Sequence, residues 1–238
     1  MKAFLLAAGH GTRLQPLTNI KPKCLVDVNS KPLIEYWFDL FRKYNITEVL
    51  INLNHFPNQV SDYIEKYAND LKITLSIEEK LLGSLGTLLV NRDFYKGENE
   101  FLLFYSDNLT NINIATLLNY HQSHNLPFTM GLFRAKDPKS CGIAELDYKN
   151  TIIDFLEKPK YPASNLANAG IYVIEPSVLA NIESLNGKLL DIGFDLLPKL
   201  KGRMKGFEIE DYLLDVGTHQ NLKVADEFVK SHQELFIY

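Results

Sequence analysis

The chain of 238 residues is poor in cysteine and has no long apolar run. Its two cysteines, Cys24 and Cys141, cannot form a disulfide framework or a zinc site by themselves. No segment approaches the roughly 18–20 apolar residues of a membrane-spanning helix. The apolar run at residues 1–9 is too short for a signal peptide, and the Gly-His-Gly-Thr-Arg segment that ends it is not a cleavage site. We therefore expect a cytoplasmic protein without a membrane partner.

The sequence also lacks a basic excess. Its 25 Lys and Arg residues face 29 Asp and Glu residues, which gives a net charge of -4. A dedicated nucleic-acid binder usually carries a surplus of positive charge, so no nucleic-acid partner is expected. Hydrophobic residues make up 46% and charged residues 23%, which is ordinary for a globular protein and excludes disorder as the dominant state.

Apolar segments in the first 133 residues alternate between strand and helix patterns. Strands are predicted at residues 2–8, 48–53, 73–77, 101–105 and 128–133. A helix is predicted to begin at Pro32, and further helices at about residues 57–67 and at 114–123. This order predicts a mostly parallel sheet with right-handed crossovers.

Beyond residue 140 the predicted strands are shorter. They cover residues 142–146, 151–156 and 169–174, and helical stretches follow at 176–181 and 192–200. Residues 205–209 and 212–215 resemble a hairpin, and a last helix covers about 219–232. The expected fold is one domain over residues 1–238. It would be a three-layer α/β/α sandwich, Rossmann-like, with a mixed, mainly parallel sheet and a small inserted lobe.

A glycine-rich loop, Gly-His-Gly-Thr-Arg-Leu at residues 9–14, directly follows the first strand. Glycines there let backbone N–H groups approach a polyphosphate, and Arg13 would add a permanent charge. The loop lacks the terminal Gly-Lys-Ser/Thr of a Walker A motif, and Leu14 replaces the third glycine of the Rossmann fingerprint. A tight surface turn explains roughly half of such isolated motifs. The position after the first strand favours a ligand.

A second basic motif, Lys-Pro-Lys at residues 21–23, lies in the same long loop. Pro22 stiffens the backbone before Lys23, and a lysine held in this way can neutralise phosphate charge. Standing alone, the motif would indicate a solvent-exposed basic turn.

Together these motifs resemble the signature of the sugar-1-phosphate nucleotidyltransferases. The resemblance covers residues 1 to about 225. It rests on residues 7–18 and 21–23 and on six later motifs in the same order: Leu-Gly-Ser-Leu-Gly-Thr at 82–87, Tyr-Ser-Asp at 105–107, Gly-Ile-Ala-Glu at 142–145, Glu-Lys-Pro at 157–159, Asn-Ala-Gly-Ile-Tyr at 168–172 and Leu-Asp-Val-Gly-Thr at 214–218. Several motifs in order are more specific than any single one.

The resemblance implies roles for particular residues. It makes Arg13 and Lys23 catalytic, and Asp107 and Asp215 the ligands of Mg²⁺. The residues implied in nucleotide binding are Ala7, Ala8, Gly9, Gly11, Thr12, Arg13, Lys23, Gly86 and Asp107. Those implied in sugar-phosphate binding are Gly142, Glu157, Lys158, Asn168 and Gly170. About residues 1–133 would then be mainly the nucleotide half and about 134–225 mainly the sugar-phosphate half.

Each later residue has a structural alternative. Asp107 alone could be a strand-end cap, Asp215 a helix start, the Glu157 motif a solvated turn and Asn168 a buried turn residue. His10 receives no catalytic role, and the other histidines show no metal-ligand spacing. No general base is expected, because a phosphate nucleophile is already ionised at neutral pH.

The implied reaction joins a nucleoside triphosphate to a sugar 1-phosphate. The short chain and the segments at residues 85–87, 144–147 and 157–159 look most like guanylyltransferases for mannose or manno-heptose 1-phosphate. Gly83 and Gly86 would leave backbone groups open to a purine. Glu78 and Glu79 are the nearest acceptors for guanine, although solvation is the more common fate of such side chains.

Other readings stay open. Thymidylyl-, uridylyl- and cytidylyltransferases share these motifs, and a non-catalytic nucleotide-sugar-binding regulator is a further alternative. A P-loop or Rossmann module is disfavoured. An assembly of identical copies is compatible with the sequence. The chain departs from the family pattern at Cys24, at Ser106 and at residues 212–214, which weakens inference about substrate identity but removes no charged group.

Overall fold

A computed structural model describes residues 1–180, 182 and 189–237. The chain divides into two compact units, each built from separate segments. Unit 1 comprises Met1–Leu81, Tyr105–Ile112 and Asp211–Tyr238, and unit 2 comprises Leu82–Phe104 and Asn113–Glu210. The assignment of the two sequence halves to nucleotide and sugar phosphate stays a prediction.

The regular elements of both units are as follows. The strands are β1 (Lys2–Leu6), β2 (Asp27–Val28), β3 (Lys31–Pro32), β4 (Glu48–Leu53), β5 (Lys72–Ile77), β6 (Phe101–Tyr105), β7 (Asn108–Thr110), β8 (Phe128–Arg134), β9 (Gly142–Leu146), β10 (Ile152–Glu157), β11 (Leu166–Ile174), β12 (Lys205–Glu208) and β13 (Leu213–Asp215). The helices are α1 (Leu33–Lys43), α2 (Pro57–Tyr67), α3 (Ser84–Val90), α4 (Arg92–Tyr95), α5 (Ile114–Gln122) and α6 (His219–Ser231).

Unit 1 contains a parallel β-α-β-α-β arrangement. Strand β4 pairs in parallel with β1 on one side and β5 on the other, with α1 and α2 as the crossover helices. The apolar stripe of α1 is buried, and Trp37, Phe38 and Phe41 are each at most 1% exposed, so these aromatic residues are core residues. Helix α1 begins at Leu33, one residue later than predicted, because Pro32 is the N-cap and ends β3.

The predicted hairpin over residues 205–215 is wrong. Strand β12 pairs in parallel with β8 in unit 2, whereas β13 pairs antiparallel with β7 in unit 1. Gly206 makes room for the first pairing, because a Cβ atom there would lie 2.6 Å from Cδ1 of Leu132 and 2.9 Å from Cδ2 of Leu146. Close packing on distant leucines therefore outweighs the local turn signal at Glu210 and Asp211.

The strands of unit 2 pair in both directions, because β12 pairs in parallel with β8 and the other pairs are antiparallel. Strand β11 pairs antiparallel with β6, β8 and β9, and β10 pairs antiparallel with β9. Helix α5 is capped by Asn113, whose side chain accepts a hydrogen bond from the N–H group of Thr116. The sequence did not predict α3 or α4.

Two helices predicted in unit 2 are shorter or broken. The stretch 176–181 contains a 3₁₀ turn at Pro176–Leu179, and its last residue lies outside the described residues. The stretch 192–200 consists of one π turn at Ile192–Leu196 followed by a 3₁₀ turn at Leu197–Lys199. Pro198 disfavours a continuous helix there, because its ring nitrogen cannot donate a hydrogen bond.

The parallel arrangement in unit 1 and the mixed strands in unit 2 confirm the α/β class with a mixed sheet. Within the described ranges, no helix is both long and apolar enough to cross a bilayer.

Candidate active site

The glycine loop leaves β1 at two buried alanines. The N–H group of Ala7 donates to Oδ1 of Asn52 at 2.8 Å, and Ala8 is 6% exposed. Gly9 has open space around it, whereas Gly11 has a φ of +64°. A Cβ atom at Gly11 would lie 2.8 Å from Cγ2 of Thr18 and 3.1 Å from Cβ of Lys23. Only glycine fits there, and it brings the loop against Lys23.

Thr12 and Arg13 lie in a short 3₁₀ turn, Thr12–Leu14, and both are exposed. Their exposure leaves both side chains accessible to a ligand. The loop thus combines a tightly packed glycine with an exposed guanidinium.

Lys23 is the buried cation of unit 1. It is 8% exposed, and its Nζ atom lies 2.7 Å from Oδ2 of Asp107 and 3.3 Å from Oδ1 of Asp215. The solvent-exposed basic turn that the motif alone indicates is therefore wrong for Lys23. A buried ammonium needs such partners, because an unpaired charge is costly away from water.

Strand pairing brings the two aspartates together. Asp107 follows β6, and the N–H group of the preceding Ser106 donates to the carbonyl oxygen of Leu6 at 3.0 Å. Asp215 ends β13, opposite Asn108 of β7. The N–H group of Val216 donates to the carbonyl oxygen of Asp107 at 2.8 Å. Two carboxylates far apart in sequence therefore meet at one lysine.

Arg13 reaches the same cluster. Its Nη2 atom lies 3.5 Å from Oδ2 of Asp215, and its side chain is 66% exposed. A Cβ atom at Gly217 would lie 2.7 Å from both Nη2 of Arg13 and Oδ1 of Asp215. Glycine at position 217 therefore leaves room for this pair. Arg13, Lys23, Asp107 and Asp215 form what we call the four-charge cluster.

The electrostatics of the cluster suit a divalent cation. Burial raises the pKa of Asp215, the Asp107 charge raises it further, and Lys23 and Arg13 act in the opposite direction. Mg²⁺ prefers oxygen ligands and is commonly held by one or two carboxylates together with substrate phosphates. No group of three or more His, Cys, Asp or Glu side chains suited to a metal is found in the described part of the chain. Two carboxylates with phosphate oxygens therefore fit Mg²⁺ better than an all-protein site.

In unit 2, the carboxylate of Glu157 lies between two glycines. Glu157 pairs with Gly142 across β10 and β9, and a Cβ atom at Gly142 would collide with Oε2 of Glu157. A Cβ atom at Gly193 would lie 2.8 Å from the same oxygen. Burial raises the pKa of Glu157, the charge of Asp191 adds to this, and Lys158 opposes it. A role for this carboxylate in binding ligand hydroxyl groups stays a prediction.

The other sugar-phosphate candidates lie just after β10 and at an irregularity within β11. Lys158 is exposed with a φ of +50°, and its N–H group donates to the carbonyl oxygen of Cys141 at 3.0 Å. Oδ1 of Asn168 accepts from the N–H group of Gly170 at 3.0 Å, and its Nδ2 donates to the hydroxyl of Tyr172 at 2.6 Å. Asn168 and Gly170 thus stabilise a register irregularity within β11, where Asn168 is a partly buried strand residue and not the buried turn residue of the structural alternative. A binding role for either stays a prediction.

The segment at residues 82–87 is more tightly packed than expected. The N–H groups of Leu85 and Gly86 both donate to the carbonyl oxygen of Leu190, at 3.0 and 3.1 Å. A Cβ atom at Gly83 would collide with the same oxygen, and the φ of Gly83 is +81°. The N–H group of Gly86 is therefore engaged within the chain, contrary to the expectation that it is open to a base.

Sequence reasoning missed Asp191. Its Oδ1 accepts from the N–H groups of Gly193 and Phe194, at 2.8 and 3.2 Å, and its Oδ2 accepts from Oγ of Ser84 at 2.9 Å. Asp191 therefore fixes the Gly193 peptide beside Glu157. An aspartate before a helical turn is a capping signal that could have identified it.

One residue of unit 1, Glu78, was also misjudged. Glu78 is 5% exposed, and its Oε1 accepts from Nδ2 of Asn52 at 2.8 Å. The expectation of a solvated side chain is wrong for Glu78. It is correct only for Glu79, which is exposed. Because Asn52 also accepts from Ala7, Glu78 is connected to the start of the glycine loop.

Comparison with known proteins decides the family. The family model described as nucleotidyl transferase matches residues 2–232. The chain belongs to the nucleotidyl transferase family. The resemblance noted in the sequence is thereby confirmed.

Similar nucleotidyl transferases include named mannose enzymes. The mannose-1-phosphate guanylyltransferase catalytic subunit beta of Dictyostelium discoideum is 32% identical over 222 residues, which cover 91% of this chain and 61% of that protein. The mannose-1-phosphate guanyltransferase of Schizosaccharomyces pombe is 32% identical over 223 residues, with the same coverage. The chain thus spans about three-fifths of the length of these relatives.

Solved structures support the same fold. A Bacillus anthracis structure described as a glucose-1-phosphate thymidylyltransferase in complex with a sucrose has a TM-score of 0.86 and 25% identity, and the match covers 97% of this chain and 95% of that one. HddC from Yersinia pseudotuberculosis has a TM-score of 0.79 and 21% identity, covering 95% and 98%. The Rossmann-like fold of this family, expected from the sequence, is confirmed.

Proposed function

We propose that this chain transfers a nucleotidyl group from a nucleoside triphosphate to a sugar 1-phosphate. The observation that carries the proposal is the four-charge cluster, in which Lys23 contacts both aspartates and Arg13 contacts Asp215. A phosphate oxygen of the sugar 1-phosphate attacks the α-phosphorus, the bond to the β-phosphate oxygen breaks, and pyrophosphate leaves. Two anions must meet for this reaction, so cations are the groups the chemistry needs.

Each member of the cluster has a distinct part. Arg13 is exposed and offers a planar fork of donors, which suits the β- and γ-phosphates. Lys23 would stabilise the α-phosphate and the leaving group. Asp107 and Asp215 would hold Mg²⁺, which neutralises phosphate charge when bound. A non-catalytic regulator would not need all four charged groups, so their joint presence favours an enzyme.

Glu157 and Lys158 would bind the sugar 1-phosphate. The half-buried carboxylate of Glu157 packs against Gly142 and Gly193, and as an acceptor-only group it would accept hydrogen bonds from hydroxyl groups of a sugar. The exposed ammonium of Lys158 would pair with the phosphate. Glu157, the last residue of β10, and Lys158, which follows it, would thus bind the two ends of one small substrate.

GTP and a mannose-type sugar 1-phosphate are the proposed substrates. The curated relatives reported above are named for that pair. Guanine presents donors at N1 and N2, and a carboxylate is an acceptor-only group. Glu78 is buried and bonded to Asn52, so the exposed Glu79 is the carboxylate at this end of β5 that would accept from guanine. Thymidylyl transfer is the main alternative, since the Bacillus anthracis structure is described by that activity.

A pyrophosphate-release screen tests the proposal. Five nucleoside triphosphates (GTP, dTTP, UTP, CTP and ATP) would be crossed with a panel of sugar 1-phosphates in the presence of Mg²⁺, with products identified by mass. We expect a GDP-sugar as the main product. A dTDP-, UDP- or CDP-sugar would overturn the base assignment alone. Nucleotide binding without pyrophosphate release from any pair would instead favour the regulator.

A further inference from the structure

We propose that Thr18 and His55 are positioning residues of the glycine loop, and that they set the direction of one of its phosphate-facing N–H groups. The inference rests on the proposed function, in which this loop binds the triphosphate. Neither residue belongs to the four-charge cluster.

Thr18 controls the peptide between Gly11 and Thr12. Its side chain is buried, with the residue 2% exposed, and its Oγ1 donates to the carbonyl oxygen of Gly11 at 2.8 Å. The N–H group of Leu14 donates to the same oxygen at 2.9 Å. In a trans peptide the N–H group points opposite to the carbonyl. Fixing the Gly11 carbonyl from two donors therefore fixes the direction of the Thr12 N–H group.

The methyl group of Thr18 constrains the same peptide by packing. A Cβ atom at Gly11 would lie only 2.8 Å from Cγ2 of Thr18, so the threonine lies directly against the glycine. The hydroxyl and the methyl group thus act on one peptide. Serine would keep the first contact, and valine would keep only the second.

His55 holds Thr18 in turn. Its Nε2 atom lies 2.8 Å from the carbonyl oxygen of Thr18, and because a carbonyl only accepts, Nε2 must carry the hydrogen. The His55 ring lies 4.2 Å from the ring of Phe56 and 5.3 Å from that of His10, between ring centroids. Two hydrogen bonds therefore connect His55 through Thr18 to the Gly11 carbonyl, and we call this connection the relay.

The segment that follows β4 anchors the loop at a second point. Nδ2 of Asn54 donates to the carbonyl oxygen of Glu78 at 2.7 Å, which leaves its Oδ1 as an acceptor. Nε2 of His10 lies 2.7 Å from that Oδ1 and is therefore the donor. His10 and His55 thus have defined roles in loop geometry.

Paired variants and a base-independent probe test the relay. Thr18→Val removes the hydroxyl and Thr18→Ser keeps it, while His55→Leu removes the donor and His55→Gln keeps one. Binding to the full chain would be measured by calorimetry for inorganic tripolyphosphate, GMP and mannose 1-phosphate. His232→Leu is the matched control, because His232 is also partly buried in unit 1 but lies at the end of α6.

We expect Thr18→Val and His55→Leu to weaken tripolyphosphate binding by on the order of tenfold, as for loss of a hydrogen bond to a buried acceptor. Thr18→Ser, His55→Gln and His232→Leu should stay within about twofold of the parent chain, because each keeps the relay. Binding of GMP and mannose 1-phosphate should not change. Thr18→Val combined with His55→Leu should be no weaker than Thr18→Val alone, since both act on one peptide.

Three results would overturn the inference. Unchanged tripolyphosphate binding by Thr18→Val would remove the role of the hydroxyl. Equal losses for all three ligands, with lowered thermal stability, would show general damage to the fold. Additive losses in the double variant would separate the two residues. Failure of the parent chain to bind tripolyphosphate or GTP would instead overturn the proposed function itself.

Discussion

The Nζ atom of Lys23 lies 2.7 Å from Oδ2 of Asp107, across 84 positions of sequence. Oδ1 of Asp215 lies 3.3 Å from the same Nζ atom. With Arg13 included, two positive groups face two negative ones, so the cluster is close to neutral before substrates arrive. The phosphates of the substrates would add negative charge to the cluster, and bound Mg²⁺ would neutralise it.

Removal of either proposed metal ligand should abolish most turnover. Asp107→Asn and Asp215→Asn each replace a charged oxygen ligand by a neutral amide, which should reduce kcat by on the order of 10²-fold or more. Steady-state kinetics over a Mg²⁺ titration would measure this. Asp62→Asn is the control, because Asp62 is an exposed carboxylate on α2. Near-normal kcat in both site variants at saturating Mg²⁺ would contradict the metal assignment.

The Asp215→Asn variant should also be more stable than the parent chain at neutral pH. The pKa of Asp215 is raised above its ordinary 3.8 by burial and by Asp107, so the folded state disfavours its ionised form. This cost is absent below about pH 3.8 and grows as the carboxyl ionises on raising the pH. Thermal unfolding at pH 7 without Mg²⁺ should show a higher Tm for the variant. A lower Tm would show that contacts of the carboxylate with Lys23 and Arg13 outweigh its burial.

Much of the fold could be predicted because local patterns determine it. Strand β4 and helix α2 begin and end at the predicted residues, since their apolar periodicity is complete within each segment. The partners of β12 and β13 could not be predicted, because each pairs with a strand distant in sequence. Helix α3 was missed for a similar reason. Its glycines suggested an open loop, but the carbonyl of Leu190 binds the start of the helix.

Two cationic residues should separate the two substrates. Arg13→Ala should chiefly raise KM for the nucleoside triphosphate, and Lys158→Ala chiefly that for the sugar 1-phosphate. The first residue contacts Asp215 in unit 1, and the second follows Glu157 in unit 2. Loss of a charge-assisted hydrogen bond should raise KM by about tenfold or more. If both variants raised KM for the same substrate only, the assignment of the two residues would be wrong.

A pair of histidines, one buried and one partly buried, should make unit 2 sensitive to acid. Oγ1 of Thr129 lies 2.8 Å from Nδ1 of His121 and 2.9 Å from Nε2 of His124. The N–H group of Leu126 donates to Nδ1 of His124, so that imidazole carries its hydrogen on Nε2. Burial lowers the pKa of both histidines, that of His124 to about 4.

The sign of this effect follows from the lowered pKa values. The charges of His121 and Lys205 also lower the pKa of His124, whereas Glu100 and Glu175 oppose the shift at His121. The contribution of the neutral His124 imidazole to the free energy of unfolding is complete above the ordinary pKa of 6.5. It is lost as the pH falls toward about 4. His124→Gln keeps a donor for Thr129 but cannot titrate, so its Tm should fall less than that of the parent chain over this range. Parallel Tm curves would contradict the prediction.

The charged residues of the candidate site could be predicted, but their contacts could not. Asp107 and Asp215 were expected at strand ends, and the structure has Asp215 at the end of β13 and Asp107 in the two-residue turn that follows β6. The position of Lys23 between them depends on the path of a long loop, which packing of Gly11 on Thr18 determines. Glu157 was named by its motif, whereas Gly193 beside it lies in a stretch that local patterns described only as helical, and Asp191 lies just before that stretch.

The most direct test of the central claim is the stoichiometry of the proposed reaction. Parent chain and Lys23→Met would be incubated with GTP, mannose 1-phosphate and Mg²⁺, with the nucleotide sugar quantified by mass spectrometry and pyrophosphate by an enzymatic assay. We expect one pyrophosphate per nucleotide sugar from the parent chain, and a loss of at least about 10²-fold in rate for the variant, because it lacks the ammonium that contacts both aspartates. Consumption of GTP without a nucleotide sugar, or full turnover by Lys23→Met, would contradict nucleotidyl transfer by this cluster.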